Sequence, residues 1–376
     1  MRAARFYGRR DIRVENDVPW PELQPGQVQV DIEWCGICGT DMHEYLVGPV
    51  TIPTQGNPHP MTGESVPVTM GHEFCGRVGK VNAGSELKVG QAVMVDPRLF
   101  CGKCHRCDEG ETNICTKWGF KGLQGRGGGF SEAVAVDEDM CHVLPETVPL
   151  SKAALIEPLV VARHALKMTG FERGDFEGAT VLIIGGGPVG IAVIYNLRAR
   201  GVKRIFVSEP TVKRQGQLRD LADEVLNPVR ENVAERCREM TGGEGVDLVF
   251  DCAGIAPGLR DGMDALKGRG TYLNVAGWEQ PFTVPMEHFM MKEITLKVAM
   301  AYDDEDFREV VEEFAAGKFT DIAKMVTSRI LLEDVVTKGF DELMTNKDDH
   351  VKILVTPRRE CLEALGASEI RSGGLQ

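Results

Sequence analysis

Twenty residues from Gly178 to Leu197 carry no charge, yet the run is broken in its middle by Gly185, Gly186, Gly187, Pro188 and Gly190. A bilayer-spanning helix needs about twenty apolar residues without such breakers, so the stretch predicts a strand, a tight loop and a helix instead. Val181 to Ile184 is the apolar strand, Val189 to Arg200 has helical composition, and Arg204 to Ser208 is a second strand ending at Glu209. Leu159 to Met168 reads as a helix before them, and β-type runs follow at Val246 to Phe250, Thr271 to Val275 and Ile294 to Val298, with helical stretches between. Strands alternating with helices bury both faces of a parallel sheet, so this half of the chain is expected to be α/β and doubly wound.

The first half has a different texture. Up to about Ala154 the chain offers short β-type runs, QVQVDIEW, EFCGRVGKV, QAVMVD and FSEAVAVD, separated by turn residues, which predicts an irregular, mostly β domain. After Ala299 the pattern shifts again. Asp303 to Phe314 predicts an amphipathic helix with acids in its first turn, Val351 to Thr356 a late strand, and the end after Pro357 a loosely held tail. With 376 residues, more than one core is needed, and the expected division is 1–156, 157–299 and 300–376.

Charge and cysteine usage narrow the class of function. The balance of 43 basic against 56 acidic residues gives −13, with no long basic run, which argues against nucleic acid or an anionic membrane as partner. The opening MRAARFYGRR leads into charge rather than an apolar signal segment, so a reducing, cytoplasmic setting is expected for the eleven cysteines.

Four of those cysteines, Cys101, Cys104, Cys107 and Cys115, make a C-x2-C-x2-C-x7-C lobe within about residues 96–118. Thiolates at that spacing converge on a tetrahedral ion, and four protein ligands without an open position mean a structural zinc. The rival is an iron–sulfur cluster, but the last gap is seven residues and Thr116 replaces the proline of the ferredoxin run. A second, dispersed set is Cys38, Thr40 and His43 in CGICGTDMH, His72 and Glu73 in GHE, and Glu157 before Pro158. Cys, His and Glu can make an open zinc site with three protein ligands and room for substrate. Taken singly, Cys38 reads as a small core residue, His72 as a hydrogen-bonded core histidine and Glu157 as a helix N-terminal charge. Cys35, Cys75, Cys141, Cys237, Cys252 and Cys361 show no metal spacing and read as plain thiols.

The third motif is Gly185-Gly186-Gly187-Pro188-Val189-Gly190, a G-x-G-x-x-G between strand and helix. It suits a pyrophosphate on the helix N-terminus, with Glu209 placed to accept both ribose hydroxyls and repel a 2′-phosphate. NAD is therefore expected over NADP, although Lys213 and Arg214 pull the other way.

In this order, CGICGTDMH, GHE, the cysteine lobe, the glutamate before proline and GGGPVG resemble the zinc-containing medium-chain dehydrogenase/reductase (alcohol dehydrogenase) family over nearly the whole chain. Asn57-Pro58-His59-Pro60, Thr62-Gly63-Glu64, TMGHEF and VSEP are similar to its 2,3-butanediol dehydrogenase group. The resemblance implies a GroES-like, mostly β catalytic domain with the zinc lobe, a Rossmann domain, and a final segment returning to the first domain. It implies that Cys38, His72 and Glu157 bind the catalytic zinc, with Glu73 as outer partner or alternative ligand, and that Thr40 and His43 form the proton relay. It places Gly185, Gly187, Pro188, Val189, Gly190, Glu209 and Arg214 on the dinucleotide, with Ala253, Gly254, Val275, Ala276 and Gly277 passing the nicotinamide. Arg163, where the subgroup shows a large aromatic, and Leu221, at a place often held by glycine, depart from the pattern. His59 lies in the subgroup's insertion and is a candidate to approach the pocket.

The expected function is zinc- and NAD-dependent, reversible oxidation of a small secondary alcohol or vicinal diol, of 2,3-butanediol and acetoin type. A polyol dehydrogenase acting on sorbitol or xylitol would share every ligand named above, whereas a non-catalytic dinucleotide-binding protein of this fold would be expected to lack ligands or relay. Two zinc ions, small-molecule alcohol or ketone partners and a homodimer or homotetramer complete the expectation. The run Gly125 to Gly129 has no reading beyond a flexible turn.

Overall fold

The computed structural model describes residues 1–284 and 286–372. Two compact units emerge, one of Met1–Glu157, Phe307–Ala316 and Ala323–Gln376, the other of Pro158–Asp306 and Gly317–Ile322.

The first unit is built on a seven-stranded sheet. Its path runs Cys141–Val143, Ala92–Val95, Glu73–Val81, Gln27–Gly36, Lys352–Thr356, Val326–Leu331, and Ala133–Asp137 also pairs with Gln27–Gly36. The long strand Gln27–Gly36 is the hub, with Val28, Val30, Ile32 and Trp34 turned into the core at alternate positions. The late strand Lys352–Thr356 joins it antiparallel, Leu354 opposite Gly36 and Val355 opposite Cys35, so chain from the C-terminal end completes a sheet begun near residue 27. The segment after Pro357, expected as a loose tail, instead forms the helix Arg359–Ser372, and its base is fixed by Arg358 Nε donating to Ile32 O at 2.9 Å.

The second unit carries a six-stranded parallel sheet in the order Glu224–Leu226, Arg204–Ser208, Thr180–Ile184, Val246–Asp251, Leu266–Asn274, Thr295–Val298. That is the doubly wound order, with its switch point between the strands ending at Ile184 and Asp251. All five residues of Thr180–Ile184 are buried, as a strand covered on both faces requires. The uncharged run continues into the helix Pro188–Ala199, in which every residue from Gly190 to Leu197 is buried. Its lack of charge is thus explained by burial against the sheet, and among the described residues no helix is long and apolar enough to cross a membrane. The run Ile294 to Val298, which includes Lys297, is placed differently. It supplies the edge strand, where Leu296 and Val298 remain 43% and 59% exposed. The helix Asp304–Ala315 has Asp304, Glu305 and Asp306 in its first turn and Phe307, Val310, Val311 and Phe314 buried.

Candidate functional site

The four lobe cysteines converge. One sulfur from each of Cys101, Cys104, Cys107 and Cys115 lies within 4.8 Å of all the others, Cys104 Sγ being 3.6 Å from Cys107 Sγ and 3.9 Å from Cys115 Sγ. A tetrahedron with zinc–sulfur bonds of about 2.3 Å has sulfur–sulfur edges of about 3.8 Å, so the four atoms fit one zinc and are too close to frame a multi-iron cluster. Backbone amides approach the sulfurs: Cys101 N and Lys117 N each point at Cys115 Sγ at 3.3 Å, and the amides of Thr116 and Cys107 bring the Cys104 thiol down to about 5, whereas burial pushes the Cys107 thiol up to about 11.

Cys38, His72 and Glu73 form the second group, again within 4.8 Å of one another. Local structure explains the placement. Cys38 is the N-cap of the helix Gly39–Val47, and its N–H donates to Asp41 Oδ2 at 2.9 Å, closing the first turn. The other oxygen of that fully buried carboxylate faces His72 Nδ1 at 3.4 Å. A proton on Nδ1 leaves Nε2 with the lone pair a metal needs. Burial alone would lower the affinity of His72 for a proton, but the Asp41 carboxylate and the Cys38 thiolate reverse this and hold its pKa well above the ordinary value. The donors gathered here, one sulfur, one imidazole and one carboxylate, fit zinc. Thr40 lies beside it, Oγ1 at 3.8 Å from Cys38 Sγ, and His43 is one turn further along the same helix.

The run Gly125 to Gly129 is packed rather than flexible. Gly129 N donates to Gly71 O at 2.7 Å and Phe130 N to Met70 O at 2.9 Å, fastening this segment to the residues that lead into His72. A Cβ on Gly129 would stand 2.5 Å from Phe74 Cβ and 2.6 Å from Cys35 Sγ, and one on Gly122 would stand 2.1 Å from Gly71 O. Only glycine lets two backbones approach so closely. Lys121, buried between them, donates to Arg126 O at 3.1 Å and Ala135 O at 2.8 Å, and burial depresses its pKa to about 8.

In the second unit the strand Thr180–Ile184 delivers the glycine turn. Gly185 has φ +94°, and a Cβ on Gly190 would stand 2.1 Å from Gly185 O, so the helix beginning at Pro188 sits directly on the turn. That leaves helix N-terminal amides facing a place for phosphate. Glu209 is buried at the end of the next strand. Its Oε2 accepts from Gly186 N at 2.8 Å and its Oε1 from Thr211 N at 2.9 Å, leaving a further lone pair on each oxygen. Arg214 Nη1 comes within 4.0 Å of where a Gly187 Cβ would be, at the glycine turn itself.

Known proteins agree with this construction. The alcohol dehydrogenase GroES-like domain matches residues 24–146 and the zinc-binding dehydrogenase domain residues 188–316. The (R,R)-butanediol dehydrogenase of Neisseria gonorrhoeae is 39% identical over 95% of this chain and 99% of its own length. The chain belongs to the zinc-containing medium-chain dehydrogenase/reductase family. The (R,R)-butanediol dehydrogenase of Bacillus subtilis is 38% identical over 95% of this dehydrogenase and the whole of its own length. The crystal structure of 2R,3R-butanediol dehydrogenase from Bacillus subtilis superposes with a TM-score of 0.87 at 36% identity, covering 95% of this chain and 99% of that one.

Not every expected residue falls where the sequence put it. In this dehydrogenase the carboxylate grouped with Cys38 and His72 is that of Glu73, not Glu157. Glu157 is buried in the first turn of the helix Ile156–Met168, and both glutamates raise the proton affinity of Lys352. Lys352 donates to Glu73 Oε1 and Oε2 at 2.7 Å each and to Ile37 O at 3.2 Å, and it is as buried as its partner. His59, the candidate to approach the pocket, is buried, with Nε2 pairing with Trp118 O at 3.1 Å and Nδ1 accepting from Thr62 N at 3.4 Å. Arg163 is buried, and its Nε donates to Asn196 Oδ1 at 3.1 Å within the second unit. The amide of Leu221 closes a turn on Leu218 O at 2.9 Å without positive φ. Cys35 and Cys75 are wholly buried and burial pushes their thiols well up, which keeps them neutral and inert.

Asp41 and Lys352 were missed by sequence reasoning. Asp41 has a local signal, since an acid three residues after an N-cap is capping-box spacing. Lys352 has none, being 279 residues from its partner.

Proposed function

We propose that this chain is an NAD-dependent zinc dehydrogenase that interconverts 2,3-butanediol and acetoin. The observation that carries the reading is the cluster of Cys38, His72 and Glu73, backed by Asp41, in a chain whose full-length relatives are (R,R)-butanediol dehydrogenases. Cys38 and His72 hold a catalytic zinc, and a carboxylate from Glu157 or Glu73 completes its protein ligands, with Lys352 as the cation paired with Glu73. Cys101, Cys104, Cys107 and Cys115 hold a second, structural zinc.

When bound, zinc supplies Lewis acidity toward the alcohol oxygen and the nicotinamide supplies a hydride acceptor. The protein's own groups do the rest. Thr40 takes the alcohol's proton and His43 is its outlet to solvent, so that loss of this proton and of one hydride from the carbinol carbon leaves the ketone. Asp41 fixes the tautomer of His72. Glu209 receives the adenosine ribose, and its negative charge favours NAD over NADP, while Gly185, Gly187, Pro188, Val189 and Gly190 cradle the pyrophosphate with Arg214 beside them. Ala253, Gly254, Val275, Ala276 and Gly277 line the nicotinamide. Residues 1–156 act as the catalytic domain, 157–299 as the dinucleotide domain, and 300–376 return to the first.

A homo-oligomer is supported by the edge strand Thr295–Val298, whose uncovered Leu296 and Val298 suit pairing with a second copy. Thiolate ligands at Cys38 and in the four-cysteine lobe support a reducing, cytoplasmic setting, where thiols stay available to metal.

The test is the initial rate of reduced-cofactor formation with 2,3-butanediol, sorbitol, xylitol and simple secondary alcohols. Butanediol is expected to give the highest kcat/KM, by about tenfold or more over the polyols, a difference of about 1.4 kcal/mol in transition-state binding. A preference for sorbitol or xylitol would replace the diol reading by the polyol one.

A further inference from the structure

In an open parallel sheet a dinucleotide lies across the carboxyl ends of the strands at the switch point, here the ends at Ile184 and Asp251, with Asn274 next in line. The loops after Asp251 and Asn274 therefore stand on the side of the switch point away from Glu209, where the nicotinamide half must go if the adenosine half is at Glu209. One residue joins the two loops. The main-chain carbonyl of Asp251 accepts from Val275 N at 2.9 Å and Ala276 N at 3.1 Å, while Oδ1 of the same residue accepts from Ala253 N and Gly254 N, both at 2.9 Å. Oδ2 accepts from the Tyr272 hydroxyl at 2.8 Å. Asp251 is completely buried, and the next residue ties the arrangement to the glycine turn, Cys252 N donating to Ile184 O at 2.9 Å. The two loops touch. Gly254 has φ +64°, and a Cβ there would stand 2.5 Å from Gly277 O.

Four backbone donors in two separate loops thus converge on one residue, and its carboxylate is not needed to end the strand, because the carbonyl does that. Burial, with the Asp251 carboxylate beside it, pushes the Tyr272 phenol far up, so that it stays a donor across the working pH range. We propose that Asp251 is a positioning residue for the nicotinamide: its carboxylate ties the 252–254 loop to Tyr272, in the strand Leu266–Asn274 that leads into the 275–277 loop, and so holds one wall of the slot into which the ring fits against the strand that carries the other. The inference rests on the dinucleotide reading above and adds to it a residue that does not itself touch the cofactor.

ADP-ribose, which has the adenosine half and pyrophosphate but no nicotinamide, separates positioning from general structure. Asp251→Ala is expected to weaken NADH binding by about tenfold while changing ADP-ribose binding by less than about twofold, and to raise KM for NAD more than KM for the alcohol. Asp251→Asn is expected to restore most of the difference, since its amide oxygen still accepts from Ala253 N and Gly254 N and its NH₂ can donate to the Tyr272 hydroxyl. Equal weakening of both ligands, or of neither, would overturn the proposal. If Asp251→Ala does not fold, amide exchange in the wild-type protein decides. Residues 253, 254, 275 and 276 are expected to gain protection with NADH beyond that given by ADP-ribose, and equal protection by the two would overturn it. Wild-type protein that binds neither ligand would instead sink the dinucleotide reading itself, a separate outcome.

Discussion

Cys38→Ala is expected to lower kcat for alcohol oxidation by at least about a thousandfold, since Lewis-acid stabilisation is worth several kcal/mol and each 1.36 kcal/mol is a decade in rate. The loss arises from geometry. The Cys38 sulfur stands within 4.8 Å of the donor atoms of His72 and Glu73, and Asp41, held by the Cys38 N–H, faces His72, so sulfur, imidazole and backing carboxylate form one connected unit. Removing the sulfur removes a ligand and one of the two charges that hold His72 in place, and zinc content should fall from about two per chain to about one, the lobe ion remaining. NADH binding should stay within about twofold of wild type, because Glu209 and the glycine turn belong to a different compact unit. Atomic absorption and NADH fluorescence read the two arms. Zinc content that stays at the wild-type level with turnover intact would remove Cys38 from the metal site. Glu157→Gln and Glu73→Gln, measured in the same way, identify which carboxylate completes the ligand set by which of them lowers zinc retention against a chelator.

Glu209→Gly is expected to shift the ratio of kcat/KM for NAD over NADP by about a hundredfold or more. Hydrogen bonds to a charged group are worth about 1.5 to 3 kcal/mol each, and the adenosine ribose of NAD offers two donors to this carboxylate. Removing the charge also relieves repulsion of the 2′-phosphate. Glu209 holds Gly186 N and Thr211 N as well, so part of the loss with NAD comes from loosening of the glycine turn. Glu209→Gln is the control, retaining the side-chain length and one acceptor without the charge. A ratio unchanged in both variants would mean that the ribose is read elsewhere.

The motifs that could be read in advance are those whose parts lie close in sequence. Cys101 to Cys115 and Gly185 to Gly190 each carry their geometry within fifteen residues or fewer, and the structure brings each together as the spacing implies. Cys38 and His72 were legible as two short motifs. Their common carboxylate was not, because Glu73 and Glu157 are chemically equal candidates and only the fold sets their distances. Lys352 was invisible for the same reason, its partner lying in a strand laid down 279 residues earlier. The glycines of residues 125–129 were visible as a surplus. What presses on them, the backbone of Met70 and Gly71, was not, so close packing against the residues that lead into His72 was mistaken for looseness. In the second unit the alternation of strand and helix carried almost all of the architecture. Exposure separates the edge strand Thr295–Val298 from the buried Thr180–Ile184, and in sequence Lys297 is the charge that marks the difference. The tail after Pro357 was misread because its glycines and serines outweighed the helical run Arg359–Ser372.

Turnover of 2,3-butanediol with NAD, followed before and after exhaustive treatment with a metal chelator and again after zinc is restored, addresses the central claim most directly. Chelation is expected to reduce the rate to about the level of Cys38→Ala, and zinc to restore it in wild type but not in that variant. Full turnover in chelated protein shown by metal analysis to hold no zinc would contradict the account.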